Sequence, residues 1–140
     1  MVDEQQPVSM FMSTVELSVA SPGDSLASVW HTLGGSQFQH IPVLDGDDLV
    51  GLISSWDLAE RLMEEQTGEP LDAQAIKVTD IMETRLVTIG ARQSLREAAE
   101  LLVEQGFHSL PVVDDDGRLI GIVTSTDVIN AYLGRIRKER

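Results

Sequence analysis

The second half of the chain repeats the first, and this self-similarity restricts the fold to two copies of one supersecondary unit. Val8-Ser-Met-Phe-Met12 matches Val78-Thr-Asp-Ile-Met82, and Leu17-Ser-Val19 matches Val87-Thr-Ile89. Ser25-Leu26 matches Ser94-Leu95, and Phe38-Gln-His-Ile-Pro-Val43 matches Phe107-His-Ser-Leu-Pro-Val112. The last block pairs Gly51-Leu-Ile-Ser-Ser-Trp-Asp57 with Gly121-Ile-Val-Thr-Ser-Thr-Asp127. The offset is 70 residues (Met12 to Met82), slips to 69 between Val19 and Ser25, and returns to 70 beyond the Pro-Val pair. Both slips fall in Gly- and Asp-rich stretches, where loops tolerate a residue more or less.

Each copy predicts the same run of elements. A short opening segment ends in Met12 or Met82 and leads to a brief β-rich run. A helix follows, because Leu26, Val29, Trp30 and Leu33 recur at i, i+3, i+4 and i+7, as do Leu95, Ala98, Ala99 and Leu102. Ser94 and Glu97 form a capping-box pattern at the start of the second of these helices. The Ile/Leu-Pro-Val runs read as strands, with Asp45-Gly46-Asp47-Asp48 and Asp114-Asp115-Asp116-Gly117 as turns to the next strand. A further helix begins near Asp57 or Asp127. The order is β-α-β-β-α in an α/β (α+β) fold, with the copies expected over 8–66 and 78–134, a linker over 67–77 and a basic tail over 135–140. A copy of about 60 residues buries little on its own. Two copies covering each other's sheet face as a pseudo-two-fold pair form the expected folding unit.

Composition narrows the function. The formal net charge is −13. That disfavours non-specific nucleic-acid binding, which needs clustered Lys and Arg, and it repels anionic ligands at long range. No apolar run has the ~20 residues that span a bilayer, and the acidic start of the chain does not read as a secretory signal. There is no cysteine, which removes disulfides, thiolate metal sites and cysteine nucleophiles. The expectation is a cytoplasmic protein. The three histidines lack ligand spacing, so no metal site is expected. No nucleophile-elbow, Walker or dinucleotide fingerprint is present, so no catalytic residues and no enzyme activity are expected.

The opening segment ending in Met, the h-P-V-h-D block and the closing G-h-h-[ST]-x-x-D block, present twice and in order, closely resemble tandem CBS (cystathionine-β-synthase) domains, the Bateman module. The resemblance runs from Val8 to Leu133. It implies clefts between the repeats that bind adenosine-containing ligands such as AMP, ADP, ATP or S-adenosylmethionine. It also implies a regulatory role without a required cofactor, homodimerisation, and an effector protein that the sequence does not identify.

By the same resemblance, the binding residues of the second copy are Thr124, Thr126 and Asp127, where helix-start hydroxyls and N–H groups suit phosphate and a carboxylate suits ribose hydroxyls. Ser/Thr and Asp at a helix start are equally good caps with no ligand at all. Ser54 and Asp57 are the first-copy counterparts, but Trp56 stands where Thr126 supplies a hydroxyl, which puts the binding on the second copy. Two and three residues before each proline stand His40 and Gln39, and Ser109 and His108. Family members that hold phosphates tightly carry Arg or Lys there, which this sequence does not. Leu17 with Phe38, and Val87 with Phe107, are the apolar residues expected against the base, and core packing explains them as well. The alternative reading is a structural interaction module with vestigial, ligand-free clefts.

Overall fold

The structure, a computed structural model, describes residues 2–13, 19–33, 40–54 and 75–135. The chain divides into two compact units, one formed by Met1–Leu17 with Val87–Arg140, the other by Ser18–Leu86. The division does not follow the sequence copies. Each unit is completed by the opening segment of the other copy.

In the first unit a 3₁₀ turn, Val8–Met10, precedes β3 (Ile89–Gly90), α2 (Leu95–Gln105), β4 (Ser109–Val113), β5 (Leu119–Thr124) and α3 (Ser125–Tyr132). The sheet order is β3-β4-β5, with β3 parallel and β5 antiparallel to β4. The second unit holds α1 (Leu26–Leu33), the antiparallel hairpin β1 (His40–Asp45) and β2 (Asp48–Ser54), and a 3₁₀ turn, Val78–Asp80. The β-α-β-β-α order expected of a copy is therefore present in the second one. In the first copy the position expected for the closing helix lies outside the described residues, as do Asp57 and residues 67–74 of the expected linker.

The strand pairs repeat their register. His40 faces Ser54 as Ser109 faces Thr124, and each hairpin shifts register at its Val43/Leu44 or Val112/Val113 step. Both hairpin turns use a glycine in the left-handed region, Gly46 at φ 64° and Gly117 at φ 80°, where a side chain would be strained. The second turn is the longer. Asp114 Oδ1 accepts from the N–H groups of Asp116 and Arg118, both at 2.9 Å, which holds the additional residue in an Asx-type turn.

The pairing places the earlier slip differently from the sequence match. Ala20 pairs with Val43 in parallel, as Ile89 does with Val112. Ala20, not Val19, is therefore the structural counterpart of Ile89. Burial agrees: Ala20 and Ile89 are buried and Val19 is exposed.

The opening segments dock by both backbone and side chain. Ser13 and Ile122 exchange two backbone hydrogen bonds (2.9 and 3.0 Å), as do Glu83 and Leu52 (2.9 and 3.0 Å). Val8 and Phe11 sit in the core of the first unit with Ile89, Leu95, Leu102, Leu110, Val112 and Val123. Val78 sits in that of the second with Leu26, Val29, Ile41, Val43 and Ile53. Burying a side chain of this size stabilises by ~1.5–3 kcal/mol, so each opening segment is a structural part of the unit it enters. Among the described side chains the helical stripes are buried at most of the expected positions, with Ala99 half-buried. Leu26, Val29, Leu95, Ala98 and Leu102 are buried, whereas Trp30 is 47% exposed.

Candidate functional site

The residues singled out in the second copy meet at one end of the β3-β4-β5 sheet. Ser109 opens β4 and pairs with Thr124, the last residue of β5. Thr124 is also the N-cap of α3, with an extended backbone (φ −108°, ψ 164°). Its Oγ1 accepts from the Asp127 N–H at 3.1 Å, and its own N–H donates to Asp127 Oδ2 at 2.9 Å. This reciprocal capping box satisfies two backbone donors that a helix start leaves without intrahelical partners. Asp127 is only 2% exposed. Thr124 and Asp127 thus have the capping role that the sequence offered beside the binding one.

The outward face of the turn belongs to other residues. Thr126 and His108 are both exposed. His108 immediately precedes β4, and its carbonyl accepts from the Ser125 N–H (2.9 Å) and the Ser125 hydroxyl (3.2 Å). Ser125 thereby clamps the start of β4 to the start of α3 and sets where the His108 backbone lies relative to Thr126. Sequence reasoning passed over Ser125. The available signal was its recurrence, since Ser55 occupies the same place in the first copy. Val87 and Phe107 are half-buried and pack against the core of this unit, so the structure places both in core contact.

In the first copy His40 and Ser54 face each other across β1 and β2, reproducing the Ser109–Thr124 pair. Gln39, Phe38, Leu17 and Asp57 lie outside the described residues.

A separate depression of about 410 Å³ lies at the other end of the same sheet, lined by Gly90, Arg92, Gln93, Glu97 and the Asp114–Asp115 turn. An exposed ion pair between Arg92 and Asp115 bridges it, and the neighbouring carboxylate raises the Arg92 pKa chiefly by its hydrogen bond. None of the expected binding residues lines it.

Residues 8–64 and 78–134 each match the CBS domain. The chain belongs to the CBS-domain family. Among its relatives is MJ1225 of Methanocaldococcus jannaschii, 30% identical over 137 residues that cover 94% of this chain and 49% of that protein. The chain spans less than half the length of the first curated relatives it matches. Among solved CBS structures, CBSX2 of Arabidopsis thaliana in complex with AMP is 32% identical, with a TM-score of 0.72 over 92% of this chain and 97% of that one. The CBS pair of MJ0100, in complex with 5′-methylthioadenosine and S-adenosylmethionine, is 26% identical, with a TM-score of 0.76 over 96% and 98%. No helix among the described residues of this CBS protein is long and apolar enough to cross a membrane.

Proposed function

We propose that this CBS pair is a regulatory sensor that binds an adenosine-containing ligand at the α3 turn and does not turn it over. The candidate ligands are AMP, ADP, ATP and S-adenosylmethionine. The convergence of two separate motif blocks carries the reading. The residues before Pro111 and the residues opening α3 stand at the two ends of the β4-β5 hairpin, 17 positions apart from His108 to Ser125, where Ser109 pairs with Thr124 and Ser125 donates twice to the His108 carbonyl. The resulting surface presents Thr126 and His108 to solvent, which a vestigial turn filled by its own side chains would not do. The AMP bound by CBSX2 and the adenosyl ligands bound by the MJ0100 pair support the ligand class.

In this reading Thr126, Thr124, His108 and Ser109 take the sugar and any phosphate. Asp127 holds the turn and offers its carboxylate to ribose, and Val87 with Phe107 borders the base. Ser54 and His40, with Asp57, Gln39, Leu17 and Phe38, are the corresponding positions of the first copy, where Trp56 removes one hydroxyl. The module acts as a cytoplasmic homodimer on an effector protein, and regulation requires the ligand to prefer one of two conformations.

Calorimetry with AMP and S-adenosylmethionine tests this, using two neighbouring threonines as a contrast. Thr124→Ala removes the cap and lowers stability by about 1 kcal/mol. Thr126→Ala sits on an exposed position and leaves the melting temperature within error, yet weakens the ligand at least several-fold. Binding by neither compound, or full affinity in the Thr126→Ala variant, overturns the proposal.

A further inference from the structure

We infer that the α3 turn discriminates by phosphate content, taking adenosine ligands that are neutral or cationic at the ribose 5′ position in preference to those bearing a phosphate chain. The inference rests on the sensor reading above and adds the class of ligand to it.

A phosphate chain at a helix start is held by backbone N–H groups, by cationic side chains and by the positive end of the helix. At this turn most of those resources are spent. Of the first three N–H groups of α3, that of Ser125 is committed to the His108 carbonyl and that of Asp127 to Thr124 Oγ1. Only the Thr126 N–H lacks a hydrogen-bond partner among the described residues. The Asp127 carboxylate lies in the same first turn, where it offsets the partial positive charge of the helix end. The donors that remain are the Thr126 N–H, the hydroxyls of Thr124 and Thr126, and the exposed His108 imidazole. None is the guanidinium or ammonium group that a phosphate chain calls for.

The described cations of this unit lie elsewhere. Among its described residues, Arg92 is paired with Asp115 and Arg96 with Glu4 and Glu100. Arg92, Arg96 and Arg118 lie at the end of the sheet where β4 runs into the Asp114–Arg118 turn and α2 begins, which is the end opposite Ser109 and Thr124. Arg135 follows the C-terminal end of α3, away from its first turn. The net charge of −13 acts in the same direction: it repels a polyanion and attracts a sulfonium-bearing nucleoside.

The test is a calorimetric series of adenosine, 5′-methylthioadenosine, S-adenosylmethionine, AMP and ATP on the full chain, each at low and at high salt. At low salt ATP is expected to bind at least about tenfold more weakly than adenosine, the scale of an uncompensated like-charge juxtaposition. Salt should narrow that gap and weaken S-adenosylmethionine, because screening acts on both interactions. His108→Arg, at an exposed position, supplies the missing cation. It should raise the ATP affinity by a larger factor than the adenosine affinity and so narrow the gap between them, with the melting temperature checking that the fold is intact. ATP binding as tightly as adenosine at low salt overturns the inference and leaves the sensor reading standing. Failure of all five compounds to bind overturns both.

Discussion

Gly121 lies on β5 where a side chain would meet the Met12 sulfur at 2.7 Å and the Ser13 carbonyl oxygen at 2.9 Å. Its counterpart Gly51 lies on β2, where the obstacles are all atoms of the Met82 side chain. At both glycines an opening segment lies too close to the strand to admit a side chain. Overpacking of this kind costs ~1–3 kcal/mol, but the two sites relieve it differently. A methionine is flexible and can move aside. A carbonyl fixed by the Ser13–Ile122 bridge cannot move without breaking two hydrogen bonds. Gly121→Ala is therefore expected to destabilise more than Gly51→Ala in urea denaturation. The double-mutant cycle of Gly51→Ala with Met82→Ala should show strong favourable coupling, and that of Gly121→Ala with Met12→Ala little. Equal coupling in the two cycles would contradict this account. The sequence showed that both glycines recur, three residues after Asp48 and four after Gly117, but a single sequence carries no sign of which distant side chain needs the space. The same limit applies to Ser125, whose partner is a backbone carbonyl and leaves no mark in residue type.

Among the elements, α2 was the most legible. Leu95, Ala98 and Leu102 are buried as their spacing requires, and the helix stops at Gly106, in the left-handed conformation at φ 69°. Its start is subtler. Ser94 Oγ accepts from the Glu97 N–H at 3.1 Å, but the Glu97 carboxylate accepts from Gln93 Nε2 and the Ser94 hydroxyl (2.7 and 3.4 Å), so only half of the expected capping box forms. The N–H groups of Leu95 and Arg96 donate to the Gln6 and Glu4 carbonyls (2.9 and 3.0 Å), so a segment from the other copy completes the cap. Periodicity cannot reveal a partner some ninety residues away. Nor could it separate Val29 from Trp30, since both fit the stripe and only packing decides which residue lies at its edge. Where α3 ends, Tyr132 packs against the core of its unit. Burial first, and then the Glu4 carboxylate, raise its pKa above the ordinary 10.0. A proton held more tightly in the folded state gives stability that is fully present below the ordinary tyrosine pKa. That stability is lost as pH rises through the folded value. Stability measured between pH 9 and 11.5 should fall with a component absent in Tyr132→Phe. Identical alkaline profiles would show that the hydroxyl is solvated when folded.

For the molecule as a whole, the exchange of opening segments determines which pieces of chain can fold. A fragment holding only residues 71–140 lacks Val8 and Phe11, both buried in its core, together with the Ser13 bridge and the carbonyls that cap α2. The fragment 1–70 lacks Val78, which is buried in the other core, and the Glu83 bridge. Neither fragment alone is expected to show cooperative thermal unfolding. Mixed in equal amounts, each supplies the segment the other lacks, and a cooperative transition should return with a midpoint that depends on concentration. Cooperative folding of 71–140 by itself would show that the opening segment is dispensable. The repeat and its β-α-β-β-α order were readable from the sequence, because periodic apolar residues and Gly/Asp turns are local signals. The exchange was not, because identical motifs in two copies fit equally well whichever partner they choose.

That ambiguity bears on descent. A protein with only one such repeat could bury its core only by taking the opening segment of a second identical chain. The same contacts would suit an intertwined pair of single-repeat chains. Joining two such chains would turn an association that depends on concentration into one built into a single polypeptide. Halves that are covalently tied need not remain the same. Trp56 in one copy and Thr126 in the other are what that freedom permits.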